Sequence, residues 1–158
     1  MIGEHTGIEV RPAVSADEAQ WRELWQTYCD FYGASIPEEA TNELWRRILD
    51  PNHAVNALVA TIAIQGERRQ IAGFANYVLH PYTWGTEPIC YLEDLFVSEA
   101  VRGRGAGSAL IEELIRLSRR NGWPRLYWHT HETNEVARSL YEQFTPTDPF
   151  VRYLIKMN

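Results

Sequence analysis

A glycine-rich turn in the middle of the chain, VRGRGAG at residues 101–107, constrains the fold more than any other segment. It follows the strongly β-prone run ICYLEDLFV at 89–97 and leads into a helical pattern from about 106 to 121. Gly122 ends that pattern, as a glycine commonly does at a helix C-terminus. A strand, a tight turn and a helix in immediate succession indicate an α/β architecture.

The turn is suited to holding an anion. Three glycines between 103 and 107 let the backbone approach a ligand closely, and unpaired N–H groups at a helix N-terminus carry partial positive charge. Arg102 and Arg104 place cations beside them, which favours a phosphate or pyrophosphate. A Walker loop needs a lysine that is absent, and a dinucleotide fingerprint needs glycine where Ser108 stands. Glycines that merely tighten a turn remain the alternative.

The rest of the chain alternates between strand and helix patterns. A capping box of Ser15 and Glu18 opens a first amphipathic helix that stops near Gly33, and a second helix starts after Pro37 and stops before Pro51. A short helix is predicted at 134–143. The predicted strands lie at 7–11, 55–65, 70–79, 89–97, 125–130 and 150–156, and the order is β-α-α-β-β-β-α-β-α-β.

Composition excludes several classes of function. The 158 residues fit one domain, residues 1–158, and a hydrophobic fraction of 45% is typical of a packed globular protein. A net charge of −6 makes non-specific nucleic-acid binding unfavourable. We expect no membrane segment, because no apolar run approaches about 20 residues. Cys29 and Cys90 are the only cysteines, so we expect reduced thiols, no metal site and a cytoplasmic location.

Two motifs together resemble one known family. The first is Arg-x-x-Gly-x-Gly at Arg102, Gly105 and Gly107, after a strand that ends in an apolar triplet. The second is HTHETNEVARSLYEQF at 129–144. Both, with the element order, resemble the GCN5-related N-acetyltransferase (GNAT) superfamily. The resemblance implies a mixed, mostly antiparallel sheet flanked by helices, acetyl-CoA as co-substrate and, as in many relatives, a homodimer.

The resemblance also assigns residues to the cofactor. Tyr141 would be the general acid toward the CoA thiolate, and Asn134, seven residues earlier on the same helix face, would contact the cofactor. The alternatives are an ordinary N-cap for Asn134 and a core aromatic for Tyr141. The implied cofactor-binding residues are Leu95, Phe96, Val97, Arg102, Gly103, Arg104, Gly105, Ala106, Gly107, Ser108 and Asn134.

On the acceptor side, the resemblance implies that Glu93 attracts the amine and helps to remove its proton. Strand alternation predicts that Glu93 and Leu95 share a face while Asp94 points to the other. Tyr28 and Asp94 are implied substrate contacts, and ordinary strand carboxylates remain the alternative. The run YLEDLFV is similar to the polyamine and diamine branch, whereas the N-terminal half is similar to small fungal enzymes that act on histones, polyamines or D-amino acids. Cys29 departs from the acidic residue of the polyamine branch.

The expected function is therefore direct acetyl transfer to a primary amine of a small molecule or a basic peptide. A non-catalytic acyl-CoA-binding module on the same fold is the alternative. His129 and His131 lie two apart on the predicted fifth strand, which would put both on one face. They lack a visible third metal ligand, so ordinary strand histidines near the acceptor are the better interpretation.

Overall fold

A five-stranded sheet organises the structure, a computed structural model that describes residues 7–64, 66 and 68–157. The strands follow chain order across the sheet, and every neighbouring pair is antiparallel except the last, β4 with β5, which is parallel. The predicted mixed, mostly antiparallel sheet is confirmed. The strands are β1 (Ile8–Pro12), β2 (Val55–Ile62), β3 (Gln70–His80), β4 (Ile89–Val97) and β5 (Leu126–Tyr127).

Four α-helices and two short 3₁₀ turns complete the described elements. The 3₁₀ turns are Ser15–Asp17 and Glu99–Val101. The predicted third helix is confirmed, and Gly122 ends it in the left-handed conformation at φ 70°. The helices are α1 (Glu18–Phe31), α2 (Glu38–Leu49), α3 (Ala106–Asn121) and α4 (Glu135–Tyr141).

The sheet separates two apolar cores. On one face, α3 packs on alternate residues of the central strands, including Leu58, Ala75 and Leu92. On the other face, α1 and α2 pack on the intervening residues, and Trp21 lies between Trp45 and Phe74 with no solvent exposure. The alternation of side chains along each strand thus gives every central strand one core on each face.

The start of the first helix differs from the prediction. The Ser15 and Glu18 capping box does not form. Instead, the Asp17 carboxylate accepts a hydrogen bond from the Val14 N–H at 2.8 Å and two from the Arg11 guanidinium at 2.7 and 2.8 Å. Burial raises the pKa of Asp17, but these hydrogen bonds and the Arg11 charge outweigh it, so that the pKa is lowered overall. A charged partner across the turn has replaced the local cap.

The end of the chain also differs. The predicted strand at 150–156 does not form, and the predicted strand at 125–130 is reduced to Leu126–Tyr127. A strand needs a partner for its backbone groups, and β5 is too short to provide one. Every residue from 149 to 157 is exposed. The predicted turn between β2 and β3 includes residues 65 and 67, which lie outside the described residues.

We expect Gly73→Ala to destabilise the sheet where β3 and β4 meet. A Cβ atom at Gly73 would lie 2.5 Å from the Phe96 carbonyl oxygen, a backbone atom that cannot move aside alone. The free energy of unfolding, measured by urea denaturation, should fall by about 1–3 kcal/mol. Gly85→Ala is the control, because its Cβ would meet only the side-chain ring of Tyr82, at 3.0 Å, and no backbone atom. Equal losses for the two variants would contradict this account.

Candidate active site

An opening between β4 and β5 forms the centre of the candidate site. The two parallel strands pair only at Cys90 with Leu126 and at Tyr91 with Tyr127. From Leu92 to Val97, β4 pairs with β3 alone among the described residues. The predicted cofactor contacts at 95–97 lie on this stretch. A free strand edge offers backbone donors and acceptors to a ligand.

The glycine turn lies at the end of this free edge. Gly103 and Gly105 have φ of 77° and 87°, a left-handed conformation that side chains disfavour, and Gly105 immediately precedes α3. Ala109 is the first residue of the helix whose N–H bonds to a backbone carbonyl, that of Gly105 at 2.9 Å. The N–H groups of residues 103–108 have no backbone acceptor within the described chain. Unpaired N–H groups at a helix start are what the predicted anion-binding nest requires, and anion binding by this turn stays a prediction.

The two arginines of the turn differ in their contacts. Arg102 donates from Nε to the Val97 carbonyl oxygen at 3.2 Å and pairs with Glu99 at 3.4 Å. Its guanidinium also lies 5.9 Å from the centre of the Phe96 ring. Arg104 is exposed. Arg102 thus joins the turn to the end of β4, while Arg104 stands beside the nest.

Helix α4 closes the other side of the opening. Asn134 is its N-cap, since its side chain accepts from the Ala137 N–H at 3.3 Å and donates to the Thr130 hydroxyl at 3.2 Å. A Cβ atom on Gly107 would lie 3.0 Å from a methyl group of Leu140, so α3 and α4 meet closely at this glycine. The N-cap interpretation of Asn134 is confirmed. A contact of Asn134 with the cofactor stays a prediction.

The predicted acid, Tyr141, is partly buried at the end of α4. Its ring packs edge-on against Trp128 with 5.5 Å between centroids. Burial, together with the nearby Tyr32, raises the pKa of Tyr141 to about 12. Its hydroxyl therefore keeps its proton near neutral pH. Tyr141 is also near enough to Tyr28 to interact with it electrostatically, which brings α4 and α1 to the same opening.

Opposite α4, a half-buried carboxylate joins three elements. The Asp94 carboxylate accepts a hydrogen bond from the Tyr28 hydroxyl at 2.8 Å and one from the Asn76 amide at 3.1 Å. Burial raises the pKa of Asp94, and these two hydrogen bonds offset that effect only in part. Burial and the Asp94 charge in turn raise the pKa of Tyr28. The predicted substrate contacts Tyr28 and Asp94 are thus brought together, with Asn76 as a partner that the sequence analysis missed.

A β-bulge interrupts the predicted alternation at Glu93, although Asp94 and Leu95 point to opposite faces as predicted. Asn76 pairs with Asp94, but the next residue of β3 pairs with Leu92, so that Glu93 is an extra residue. Leu92 and Leu95, three apart, therefore contact the same core, that of α3. Asp94 is turned toward α1 instead, where Tyr28 reaches it. Glu93 has become the unpaired residue of the strand, on the edge of the opening.

Glu93 has an unusual electrostatic environment. The residue is exposed, but its carboxyl group is partly shielded, and this burial, followed by the charge of Asp94, raises its pKa. Burial raises the pKa of Tyr91 and of Tyr127, and the charge of Glu93 makes a smaller contribution in the same direction. The predicted base therefore lies close to the predicted substrate contact Asp94 and to two tyrosines of the neighbouring strand ends.

These tyrosines belong to a row of rings, here called the aromatic row, that the sequence analysis did not predict. Tyr91 stacks on Tyr127 at 5.0 Å and on His129 at 5.6 Å between ring centroids. His80 hydrogen-bonds to the Tyr127 hydroxyl at 2.8 Å. His131 bonds to Thr133 instead of joining the row. Both histidines lie beyond β5, so the strand that was predicted to place them on one face does not extend to them. The run of three aromatic residues at 127–129 was the available signal.

Two other expectations concern features outside this opening. In the part of the chain that the structure describes, no three His, Cys, Asp or Glu residues are grouped as metal ligands would be. None of the helices within those same ranges has the length and apolarity that crossing a bilayer requires. Cys29 and Cys90 are unpaired and buried.

The chain is similar in sequence to known acetyltransferases. The model of the acetyltransferase (GNAT) family matches residues 21–145. The D-amino-acid N-acetyltransferase HPA3 of Saccharomyces cerevisiae is 33% identical over 134 residues, which cover 85% of this chain and 81% of that protein.

The fold is similar to those of solved structures. A probable acetyltransferase has a TM-score of 0.80 at 20% identity, covering 95% of this chain and 98% of that one. AAC(6')-Iy, solved in complex with a bisubstrate analog, CoA-S-monomethyl-acetylneamine, has a TM-score of 0.74 at 22% identity, covering 95% and 99%. At these identities the likeness shows a common fold.

We expect Gly105→Ala to weaken coenzyme A binding by about tenfold. The left-handed backbone at φ 87° costs an alanine about 1–2 kcal/mol, and relaxing that strain moves the N–H groups of the nest. Titration calorimetry measures the affinity. Gly122→Ala is the matched control, because it has φ 70° at the opposite end of α3 and lies in open space. It should lower stability and leave the affinity unchanged, and equal effects on binding would contradict the assignment.

Proposed function

Because this chain belongs to the acetyltransferase (GNAT) family and is an acetyl-CoA-dependent N-acetyltransferase, we propose that it acetylates a primary amine by direct transfer. The acceptor class is a polyamine, an amino acid or other small amine, or the lysine of a basic peptide. The observation that carries the proposal is one opening between β4 and β5, bordered by an anion-binding nest, a protonated tyrosine and a pair of carboxylates.

The nest and the free edge of β4 supply the cofactor site in this proposal. The N–H groups of residues 103–108 bind the pyrophosphate of acetyl-CoA, with Arg102 and Arg104 beside them. Leu95, Phe96 and Val97 present backbone groups to the pantetheine arm and to the acetyl carbonyl, where donors stabilise developing negative charge. Asn134 holds the start of α4 against this arm. Acetyl-CoA supplies the acetyl group as a reactive thioester.

Glu93 is the proposed base. An alkylammonium has a pKa of about 10.4, so that deprotonating it near pH 7 costs roughly 4–5 kcal/mol. A carboxylate with a raised pKa is a better proton acceptor than an ordinary one. Glu93 first takes one proton from the ammonium group, directly or through a water molecule, so that the neutral nitrogen can bond to the acetyl carbon. The second proton that the nitrogen loses on becoming an amide passes to solvent.

Tyr141 is the proposed acid. The bond between the acetyl carbon and sulfur breaks as the new amide forms, and the sulfur must leave as a thiol or thiolate. The Tyr141 hydroxyl keeps its proton near neutral pH, because its pKa is about 12, and it lies at the helix end that borders the opening. It gives that proton to the sulfur and regains one from solvent.

Charge and aromatic surface support a cationic acceptor. Glu93 and Asp94 place two acidic groups together, and the aromatic row presents ring faces that attract an ammonium group. Tyr28 holds Asp94 in place and would contact the acceptor chain. The related HPA3 is named a D-amino-acid N-acetyltransferase, and the bisubstrate analog in AAC(6')-Iy joins CoA to an amine, which supports a small amine as the acceptor.

Two further proposals concern the state of the protein. A homodimer is proposed, as the resemblance to the family implies. A cytoplasmic location is proposed from the two cysteines, which are buried and unpaired, as is usual in a reducing compartment.

The direct test is coenzyme A release from acetyl-CoA with a panel of amines, using the native chain and Tyr141→Phe. We expect turnover with at least one amine, and a loss of about 10²–10⁴-fold in kcat for Tyr141→Phe with coenzyme A affinity unchanged. Tyr77→Phe is the control. Burial also raises the pKa of Tyr77 to about 12, but its ring packs near Trp123 in the α3 core, so kcat should be retained.

Two outcomes would count against the proposal. Coenzyme A binding without turnover of any amine would favour the non-catalytic acyl-CoA-binding module. Equal kcat values and pH profiles for the native chain and Tyr141→Phe would remove Tyr141 from the acid role.

We expect Asp94→Asn to lower the pKa of Glu93. The charge of Asp94 raises that pKa, so its removal favours ionised Glu93, and the part of the pH profile that follows Glu93 moves to lower pH. Carboxyl ¹³C NMR of Glu93 and the pH dependence of kcat measure the shift. Tyr28→Phe removes a hydrogen bond to Asp94 but keeps its charge, and it should not lower the pKa of Glu93. A shift of Glu93 to higher pKa in Asp94→Asn would contradict the coupling.

A further inference from the structure

Arg125 is held against two aromatic rings just before β5. The central carbon of its guanidinium lies 5.1 Å from the centre of the Tyr82 ring and 6.0 Å from the centre of the Trp84 ring. Both rings belong to the connection between β3 and β4, residues 81–88. Contacts between a cation and ring faces are attractive, and they limit the conformations that the side chain adopts. Arg125 therefore has a defined position although it is exposed.

The guanidinium of Arg125 has no carboxylate partner among the described residues. Eight of the other arginines form ion pairs with Asp or Glu. Arg125 takes part in none of these pairs, and its side chain makes no hydrogen bond within the described part of the chain. A guanidinium presents five N–H donors in a planar fork that matches the two oxygens of a carboxylate. These donors are therefore available to an anion from outside the chain.

Arg125 lies in line with the aromatic row. Leu126 packs in the α3 core, whereas Tyr127 stacks on Tyr91 on the opposite face of the sheet. Alternation along the chain places Arg125 on the same face as Tyr127. His80, the last residue of β3, hydrogen-bonds to the Tyr127 hydroxyl at 2.8 Å. The connection after β3 is thus held to the start of β5 at two points, and one surface carries Arg125 followed by the row.

The two ends of this surface carry opposite charges. Tyr91 pairs with Tyr127 across the parallel strands. Glu93 follows Tyr91 by two residues and Arg125 precedes Tyr127 by two, so the two offsets add. They separate the backbones of Glu93 and Arg125 by about 13 Å along the strand direction. Burial and the Asp94 charge raise the pKa of Glu93, and the charge of Arg125 does not counteract them, which agrees with this separation.

The stacked rings between these ends carry no charge at neutral pH. Burial and the positive charge of Arg152 lower the pKa of His129, so that its ring is neutral near pH 7. Burial raises the pKa of Tyr91 and of Tyr127, so both hydroxyls keep their protons. Tyr127 is 40% exposed, which leaves ring carbon open to a ligand. An aliphatic chain that lies along these rings removes apolar surface from water.

We propose that Arg125 binds a carboxylate of the acceptor, and that the acceptor is an aliphatic amino acid with its amine and its carboxylate at opposite ends of the chain. The amine lies at Glu93, the carboxylate lies at Arg125, and the methylene groups follow the aromatic row. The placement of the amine rests on the proposed function, from which this proposal selects one acceptor class. An α-amino group and its carboxylate are too close together to reach both ends. A diamine would bring a second cation to the guanidinium, which like charges disfavour.

The first experiment compares 6-aminohexanoate with hexane-1,6-diamine, which has a second amine in place of the carboxylate. We expect the native chain to have a kcat/KM at least tenfold higher for 6-aminohexanoate. Arg125→Gln should lower that kcat/KM by about tenfold, mainly through KM, and should not lower the value for the diamine. Arg119→Gln is the matched control, because Arg119 is exposed in the last turn of α3, and both values should be retained. A preference for the diamine, or equal losses for the two acceptors in Arg125→Gln, would overturn the inference and leave the proposed function in place.

The second experiment detects binding without turnover. The ¹⁵N NMR signal of the Arg125 Nε–H group, assigned by its loss in Arg125→Gln, is followed in the presence of coenzyme A. We expect 6-aminohexanoate to shift this signal in a saturable way and hexane-1,6-diamine to leave it unchanged. A signal that does not move with 6-aminohexanoate would overturn the inference even in an active enzyme. If the signal moves but no amine is turned over, the proposed function fails and the carboxylate site at Arg125 stands.

Discussion

The early separation of β5 from β4 is the constraint on which the rest of the site depends. Two residue pairs hold the strands together, and beyond them the backbone of β4 keeps an edge without a partner. In an ordinary sheet such a gap would be closed, since unpaired backbone groups are costly when buried. Here α3 begins at one end of the gap and α4 ends beside it, so that the free edge, the nest and Tyr141 face one space. A ligand that satisfies backbone groups is what this arrangement accommodates.

The bulge in β4 determines where the consecutive carboxylates Glu93 and Asp94 lie. A regular strand would turn one of two consecutive carboxylates into the α3 core. The extra residue at Glu93 resets the alternation, so that Asp94 meets Tyr28 and Asn76 while Leu95 returns to the apolar core. Burial of Asp94 is tolerated because two donors satisfy its oxygens. The charge of Asp94 raises the pKa of Glu93. Because Tyr28 of α1 holds Asp94, the packing of α1 affects the proton affinity of the Glu93 carboxylate.

Local signals predicted the parts of the structure that depend on a few neighbouring residues. The turn at 101–107, helix α3 and its end at Gly122 follow from glycine conformation and helix capping, and the structure agrees within a residue. The bulge, Asn76 and the aromatic row depend on the register between strands distant in sequence, which no local pattern encodes. The missing strand at 150–156 has the right alternation, but alternation indicates only readiness to pair and not the presence of a partner.

The exposed C-terminal segment at 150–157 and the opening beside β4 both follow from the shortness of β5. A longer β5 would pair further along β4 and close the opening between the two strands. Its other edge would still lack a strand partner. A two-residue β5 keeps the gap open but gives the C-terminal segment too little edge to form a strand within one chain. The chain then has an unpaired edge along β5, beside the candidate site, and an exposed apolar segment at 150–157. The short β5 that leaves the sheet open for an acyl donor thus also leaves this apolar segment without a strand partner among the described residues.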